Sequence, residues 1–206
     1  MSPRRYDSSQ RRAGSEATRA RILEAALAIL GGSGDLSGFS IESVARKAGV
    51  ARMTVYYQFR SRSGLLDALS DHLAERGGMQ RLREVFMEPD LDQALRKFLS
   101  VFVGFWASDR IAMRRLRALG AVAPGLWGRA RSRDAWRREA ITHLLSRSER
   151  DGRAAGRADR GAEVDLLAVL TSFETFDALC TEGRTPAQVI GLLHAAALAW
   201  LHTDRS

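Results

Sequence analysis

Apolar positions fall at i, i+3 and i+4, the repeat of helices with one buried face, and from Met79 onward no alternating strand pattern and no internal repeat interrupts them. Ile22, Ala25, Ala26, Ile29 and Leu30 make the first stripe; Ser15 is its expected N-cap, Gly31-Gly32 its stop, and 35–38 the connecting loop. Ile41, Val44 and Ala45 make a second stripe, and Val55 and Phe59 a third, so short helices are expected over 41–47 and 51–57. Between them stands Ala48-Gly49-Val50. The glycine allows a positive φ without a Cβ clash, and the small Ala45 and Ala48 let two helices cross closely. Leu65, Leu66, Leu69, His72 and Leu73 mark the next helix, opened by Ser61 or Ser63 and stopped by Gly77-Gly78. It reads equally as a hinge and as a rigid spacer.

Further on, Leu82, Val85 and Phe86 form a short segment broken at Pro89, and 91–107 carries Leu95, Phe98, Leu99, Phe102, Phe105 and Trp106 on one broad face. Helices over 111–121 and 126–151 follow, the second with Trp136, Ala140, His143 and Leu144 expected inward, and then a polar loop over 152–161. The last two helices, over 164–180 and 186–202, are apolar around more than one face, and Pro186 stands in a first turn where its missing N–H costs nothing. Such a pair must pack inward on its own chain and outward on another. The expected fold is all-α: a disordered basic tail over 1–14, a three-helix helix-turn-helix domain over 15–60, a connecting helix over 61–78, and a helical regulatory and dimerisation domain over 79–206, about nine helices in all.

Composition narrows this picture only a little. The chain has 206 residues and a net charge of +8, carried almost wholly by arginine, which favours a polyanionic partner without requiring one. The single Cys180 excludes an internal disulfide framework and a cysteine-built zinc site, as expected in a reducing cytoplasm. No apolar run approaches the length of a membrane span and the N-terminus lacks a signal-like segment, so a soluble cytoplasmic protein is expected. The tail, with Arg4, Arg5, Arg11 and Arg12, suits either a minor-groove arm or plain solvent.

The chemistry concentrates on the second helix of the turn. Its outward positions, Arg52, Met53, Thr54, Tyr57 and Gln58, combine a cation, hydrogen-bonding tips and two large side chains that an ordinary core hairpin has no reason to expose. An exposed Arg bonds guanine bidentately, Met and Tyr meet thymine methyls, and hydroxyls suit phosphate oxygens. This run, with Ala48-Gly49-Val50, Thr54-Val55-Tyr56-Tyr57-Gln58-Phe59, Ser61-Arg62 and Leu65-Leu66, resembles the DNA-binding domain of the TetR family of bacterial transcriptional regulators. The resemblance implies that Arg52, Met53 and Tyr57 read bases while Ser40, Thr54, Tyr56, Gln58 and Arg62 hold phosphates. Two departures bear on the operator sequence. Ala51 replaces the usual Ser or Thr opening the recognition helix, a loss of roughly 0.5 to 2 kcal/mol, and Met53 and Gln58 stand where Gly or Pro and His are common.

The resemblance also implies a dimeric four-helix bundle built from the last two helices, with Phe176, Cys180, Val189, Leu192, Leu193, Ala196 and Trp200 at the interface, and a small-molecule effector site. For that site the aromatic face of Phe98, Phe102 and Trp106, with Met113, Trp136, His143 and Phe173, is the candidate lining; plain core is the other reading. The arginines over 110–138 suit an anionic effector or a solvated face. No catalytic constellation, cofactor fingerprint or metal signature is present, and His194 and His202 lack a third ligand nearby. The expected protein is not an enzyme. It is a homodimeric repressor of a double-stranded palindromic operator, released by a small molecule; the alternative is a DNA-binding dimer without a small ligand, controlled by a partner protein or architectural.

Overall fold

The computed structural model describes residues 8–32, 34, 36–122, 128–150, 160–181 and 183–201; of 8, 9, 37, 122, 128–132 and 148–150 it describes the backbone alone. Every regular element among the described residues is helical. The chain divides into two compact units, one of residues 1–72 with 111–127, the other of residues 73–110 with 128–206.

The first unit begins with α1, Ser8–Leu30, which starts well ahead of the expected cap Ser15. Residues 10–17 are exposed, so burial does not hold these turns. They are tied instead by Gln58, whose Nε2 donates to the Ser15 hydroxyl at 2.9 Å and to its carbonyl at 3.3 Å. The tail expected over 1–14 is thus helical from Ser8; Arg4 and Arg5 lie outside the described residues. α2, Ile41–Ala48, is closed at both ends by its own sequence: the Ser40 hydroxyl accepts from Ser43 N at 3.1 Å and the Ser43 hydroxyl from Ser40 N at 3.0 Å. At its other end Gly49 adopts φ 64°, and the N–H groups of Gly49 and Val50 donate to Arg46 and Ala45, the paired bonds that end a helix in a left-handed residue. The positive φ expected at Gly49 is observed.

α3, Arg52–Phe59, buries Val55 and Phe59, and Ala51 provides no side-chain cap. It stops at Arg60, a non-glycine at φ 66°. α4, Arg62–Arg76, is opened by Ser61, whose hydroxyl accepts from Gly64 N at 3.0 Å. A Cβ on Gly64 would overlap the Phe59 carbonyl oxygen, so glycine is required where α3 turns into α4. Ile22, Ala26, Leu30, Phe39, Val44, Val55, Leu65 and Leu69 are buried and make the core; α7, Arg110–Val122, buries Met113 and Leu116.

The second unit is built on α6, Leu91–Ser108, whose N-cap Asp90 accepts from Gln93 N at 2.9 Å and which buries Leu95, Phe98, Leu99, Phe102, Phe105 and Trp106. Against it lie α5, Leu82–Met87; α8, Gly128–Arg150; and α11, Pro186–Leu201, opened by reciprocal bonds between Thr185 and Gln188. Gly77 approaches Phe105 so closely that a Cβ would stand 2.7 Å from its Cα.

Two expectations fail in this unit. On α8 Ala140 and Leu144 lie inward as expected, together with Arg137, Ile141 and Leu145, but Trp136 is 45% exposed and His143 is exposed, each standing at the edge of that buried face. The single helix over 164–180 is two, α9, Arg160–Leu170, and α10, Phe173–Thr181. Thr171 Oγ1 bonds back to Leu167 O at 2.6 Å, and the Ser172 hydroxyl accepts from Thr175 N at 3.2 Å and so starts a new helix. The freed Thr171 carbonyl accepts from Trp106 Nε1 at 3.0 Å and from Arg137 Nη1 at 3.4 Å. With this break the described residues carry eleven α-helices, against the nine or so expected.

Candidate nucleic-acid interface

α2 and α3 cross at the Gly49 turn with their apolar faces buried, which leaves the opposite side of α3 outward. Tyr57 is 81% exposed and Met53 56%, the exposure expected of groove-reading side chains and expensive for residues of that size unless used. Arg52 is exposed beside them but is not loose. Its Nε stands 2.8 Å from Glu42 Oε1, and its Nη2 donates to the Tyr56 hydroxyl at 3.2 Å.

The residues assigned to phosphates divide. Thr54 and Tyr56 are half-buried on the flank of α3. Ser40 spends its hydroxyl capping α2. Gln58 spends its amide on Ser15 of α1. Arg62 turns inward: Nη2 donates to the Phe39 carbonyl at 2.9 Å and the guanidinium lies 5.9 Å from the Phe39 ring centroid. In this structure Ser40, Gln58 and Arg62 each bond within the domain, to the Ser43 N–H, to Ser15 and to the Phe39 carbonyl.

Three residues at this surface escaped the sequence reading. Arg19 of α1 donates to the Gln58 carbonyl at 3.2 Å and lies over the Phe59 ring at 4.6 Å, closing the end of α3. Arg60 is an exposed cation held at positive φ immediately beyond that end. Glu42 meets Arg52 from the preceding helix. None has a local spacing signal; only Arg60 stands at a place, the stop of a helix without glycine, that could have drawn notice.

The effector-site candidates are also separated. Phe98, Phe102, Trp106 and Phe173 form a continuous buried series in the second unit, with ring centroids 4.9 Å apart for Phe98 and Phe102, 6.5 Å for Phe102 and Trp106, and 5.6 Å for Trp106 and Phe173. Met113 is buried and falls in the first unit, and Trp136 and His143 are exposed on α8, where His143 meets Phe86 edge-on. Of the interface candidates, Leu192, Ala196 and Trp200 are exposed and Cys180 is half-buried. Phe176, Val189 and Leu193 are buried within the chain, since the inward face of α11 runs through 189, 193, 197 and 201.

A tight turn between two short helices, a second helix with an exposed polar and aromatic side, and a supporting helix on each flank define a helix-turn-helix DNA-binding protein. Residues 22–69 match the model of the bacterial regulatory proteins of the tetR family, so the helix-turn-helix part of the chain is of that family's kind. Solved structures with the same fold include a TetR-like transcriptional regulator from Rhodococcus sp. RHA1, 19% identical, covering 91% of this chain and 97% of its own, with a TM-score of 0.66. GusR of Salmonella enterica is 18% identical, covers 91% and 96%, and has a TM-score of 0.68. LfrR of Mycobacterium smegmatis, solved in complex with proflavine, is 22% identical, covers 89% and 95%, and has a TM-score of 0.56. No curated protein matches the chain by sequence.

Proposed function

We propose that this protein is a cytoplasmic homodimeric repressor that binds a palindromic operator through the major groove and is released by a small-molecule effector. The observation that carries the DNA half is the outward side of α3, where Arg52, Met53 and Tyr57 stand together in solvent on a helix whose other side is fixed by Val55 and Phe59. Arg52, Met53 and Tyr57 read base edges, and Thr54 and Tyr56 meet the flanking phosphates. Dimerisation follows from reach: one eight-residue helix reads too few base pairs for a unique site, and a two-fold pair doubles the contacts. The effector half rests on the aromatic series of the second unit and on the fold shared with LfrR, which was solved with proflavine.

That same series supports a second reading. Each of its rings has another ring within 6.5 Å, and Phe98, Phe102, Trp106 and Phe173 are nearly fully buried, the packing of a filled core. On this reading the protein is a DNA-binding dimer without a small ligand, controlled by a partner protein or architectural. Fluorescence anisotropy with an operator recovered from a randomised duplex library, for wild type, Phe102→Trp and Phe173→Trp, separates the two. An effector site predicts that both variants bind operator normally and lose the response to ligands that release the wild type. Unfolding of both variants favours the filled core, and failure of the wild type to select any sequence removes the operator reading.

A further inference from the structure

An exposed arginine is a poor reader of bases while it is free to choose among rotamers, because fixing it in one geometry costs much of what the contact returns. Arg52 is already held on two sides. Glu42 of α2 forms an ion pair with it, Oε1 standing 2.8 Å from Nε, Tyr56 accepts from Nη2 at 3.2 Å, and the guanidinium carbon stands 5.4 Å from the centroid of the Tyr56 ring. Both ion-pair partners remain more than half exposed, 58% for the Arg52 side chain and 51% for that of Glu42, so the pair lies on the face that α3 presents and not beneath it.

A guanidinium has two bidentate edges: Nε with one Nη, and the two Nη groups end-on. With Nε 2.8 Å from a carboxylate oxygen and Nη2 donating to a hydroxyl, the side edge is occupied and the edge left to face outward is the end-on pair of Nη1 and Nη2. That pair matches the O6 and N7 acceptors of guanine. We infer that Glu42 is a positioning residue for sequence reading, which turns Arg52 end-on to the groove and thereby sets a guanine preference at a base pair that Glu42 itself does not touch. The inference rests on the base-reading role proposed for Arg52. The Glu42 carboxyl lies below the ordinary carboxylate range, first through a hydrogen bond from its own backbone N–H and then through Arg52 and Ser40, so it is charged wherever the protein binds DNA. Arg52 is shifted the opposite way, chiefly by its bond to Tyr56. A carboxylate beside phosphates also repels them, so Glu42 raises discrimination while it lowers affinity for DNA of any sequence.

That opposition gives a signature that a merely structural role does not share. The test uses the full chain and a duplex recovered by the protein from a randomised library, with each base pair changed in turn, for wild type, Glu42→Gln, Arg52→Ala and the double variant. Arg52→Ala is expected to abolish the preference at one symmetric pair of positions. Glu42→Gln is expected to lower the preference at those positions by about fivefold or more, to leave the others unchanged, to tighten binding to random duplex, and to add nothing in the Arg52→Ala background. If Arg52→Ala acts at those positions and Glu42→Gln does not, the positioning role is overturned while base reading by Arg52 stands. If Arg52→Ala changes no position selectively, base reading is overturned and the inference with it. Tighter binding of all sequences alike by Glu42→Gln would make Glu42 a simple repeller of DNA, and a uniform loss with a lowered thermal midpoint would make it a helix-end residue; either result overturns the inference.

Discussion

The residues that fix the DNA-binding unit are largely those a reader of sequence assigns to DNA. Ser40, Gln58 and Arg62 carry the right groups for phosphate, yet each is already bonded to a backbone atom or to a hydroxyl of its own chain. For Arg62 this turns an expectation round. Arg62→Ala removes a charged donor from the Phe39 carbonyl and uncovers the Phe39 ring, so unfolding free energy should fall by about 1 to 3 kcal/mol in urea titrations. The salt dependence of DNA binding should keep its slope; a slope smaller by about one unit would place Arg62 on a phosphate after all. Gly64 is the reverse case, a residue that drew no attention and that cannot be exchanged. Its missing side chain leaves room for the Phe59 carbonyl, so Gly64→Ala must displace the start of α4 and should cost about 1 to 3 kcal/mol, read as a lower urea midpoint at unchanged m. Gly49→Ala, where no atom crowds the position, pays only for its positive φ and should cost less. Gly49 was legible because its flanking stripes announce two helices and a turn; Gly64 was not, because its constraint comes from a backbone atom that the sequence does not bring near it until α3 has stopped at Arg60.

At the scale of elements, the arginine content is spent in a way that charge counting misses. Arg19 donates to the end of α3, Arg115 to the Leu30 carbonyl that ends α1, and Arg147 to Val85 and Glu88 at the end of α5. Arg110 donates to Asp177 and Thr181 at the end of α10, and Arg137 to the Thr171 carbonyl freed by the break after α9. The last carbonyls of a helix lack intrahelical donors and carry the negative end of its dipole, so a long cation arriving from another helix satisfies both needs. A basic chain of short helices thus uses charge as terminal caps, and the surplus is not by itself evidence for nucleic acid. Arg147→Ala removes a charged donor from two carbonyls, of which Val85 keeps the Glu88 N–H, and should lower stability by about 1 to 3 kcal/mol, whereas Arg96→Ala, on the exposed side of α6, should stay within about 0.5 kcal/mol of wild type in thermal melts. Equal effects would mean that the donated bonds contribute nothing net. Periodicity revealed most of the helices, since one-sided burial repeats every three or four residues. It could not reveal the break at Thr171-Ser172, where two small hydroxyl residues compete locally with the backbone inside an otherwise apolar run.

For the whole molecule the outer side of α11 is the apolar surface that calls for a partner. Its inward face is filled by Val189, Leu193, Ala197 and Leu201, and on its other side Leu192, Ala195, Ala196, Ala199 and Trp200 are exposed along successive turns, with Val169 of α9 also 60% exposed. An apolar stripe at i, i+3, i+4, i+7 and i+8 is what a helix presents to a second helix, and the small alanines allow close approach. On the proposed dimeric reading a second copy of the chain, related by a two-fold axis, would cover it with the same residues, and the dimer would offer two α3 helices to a palindrome. Ala196→Glu sets a charge in the middle of the stripe. In a dimer that carboxylate is desolvated without a cation, a cost of several kcal/mol that the seam cannot meet, so the protein should become monomeric in light scattering at micromolar concentration. Ala187→Glu, exposed in the first turn of the same helix but off the stripe, should leave the dimer intact. DNA binding then reports the consequence: the Ala196→Glu protein should bind a full operator no more tightly than a half-site, because the second α3 no longer arrives with the first, while Ala187→Glu keeps the wild-type ratio. A wild-type monomer in light scattering, or an Ala196→Glu dimer that still prefers the full operator, would mean that the stripe meets something other than a second copy of this chain.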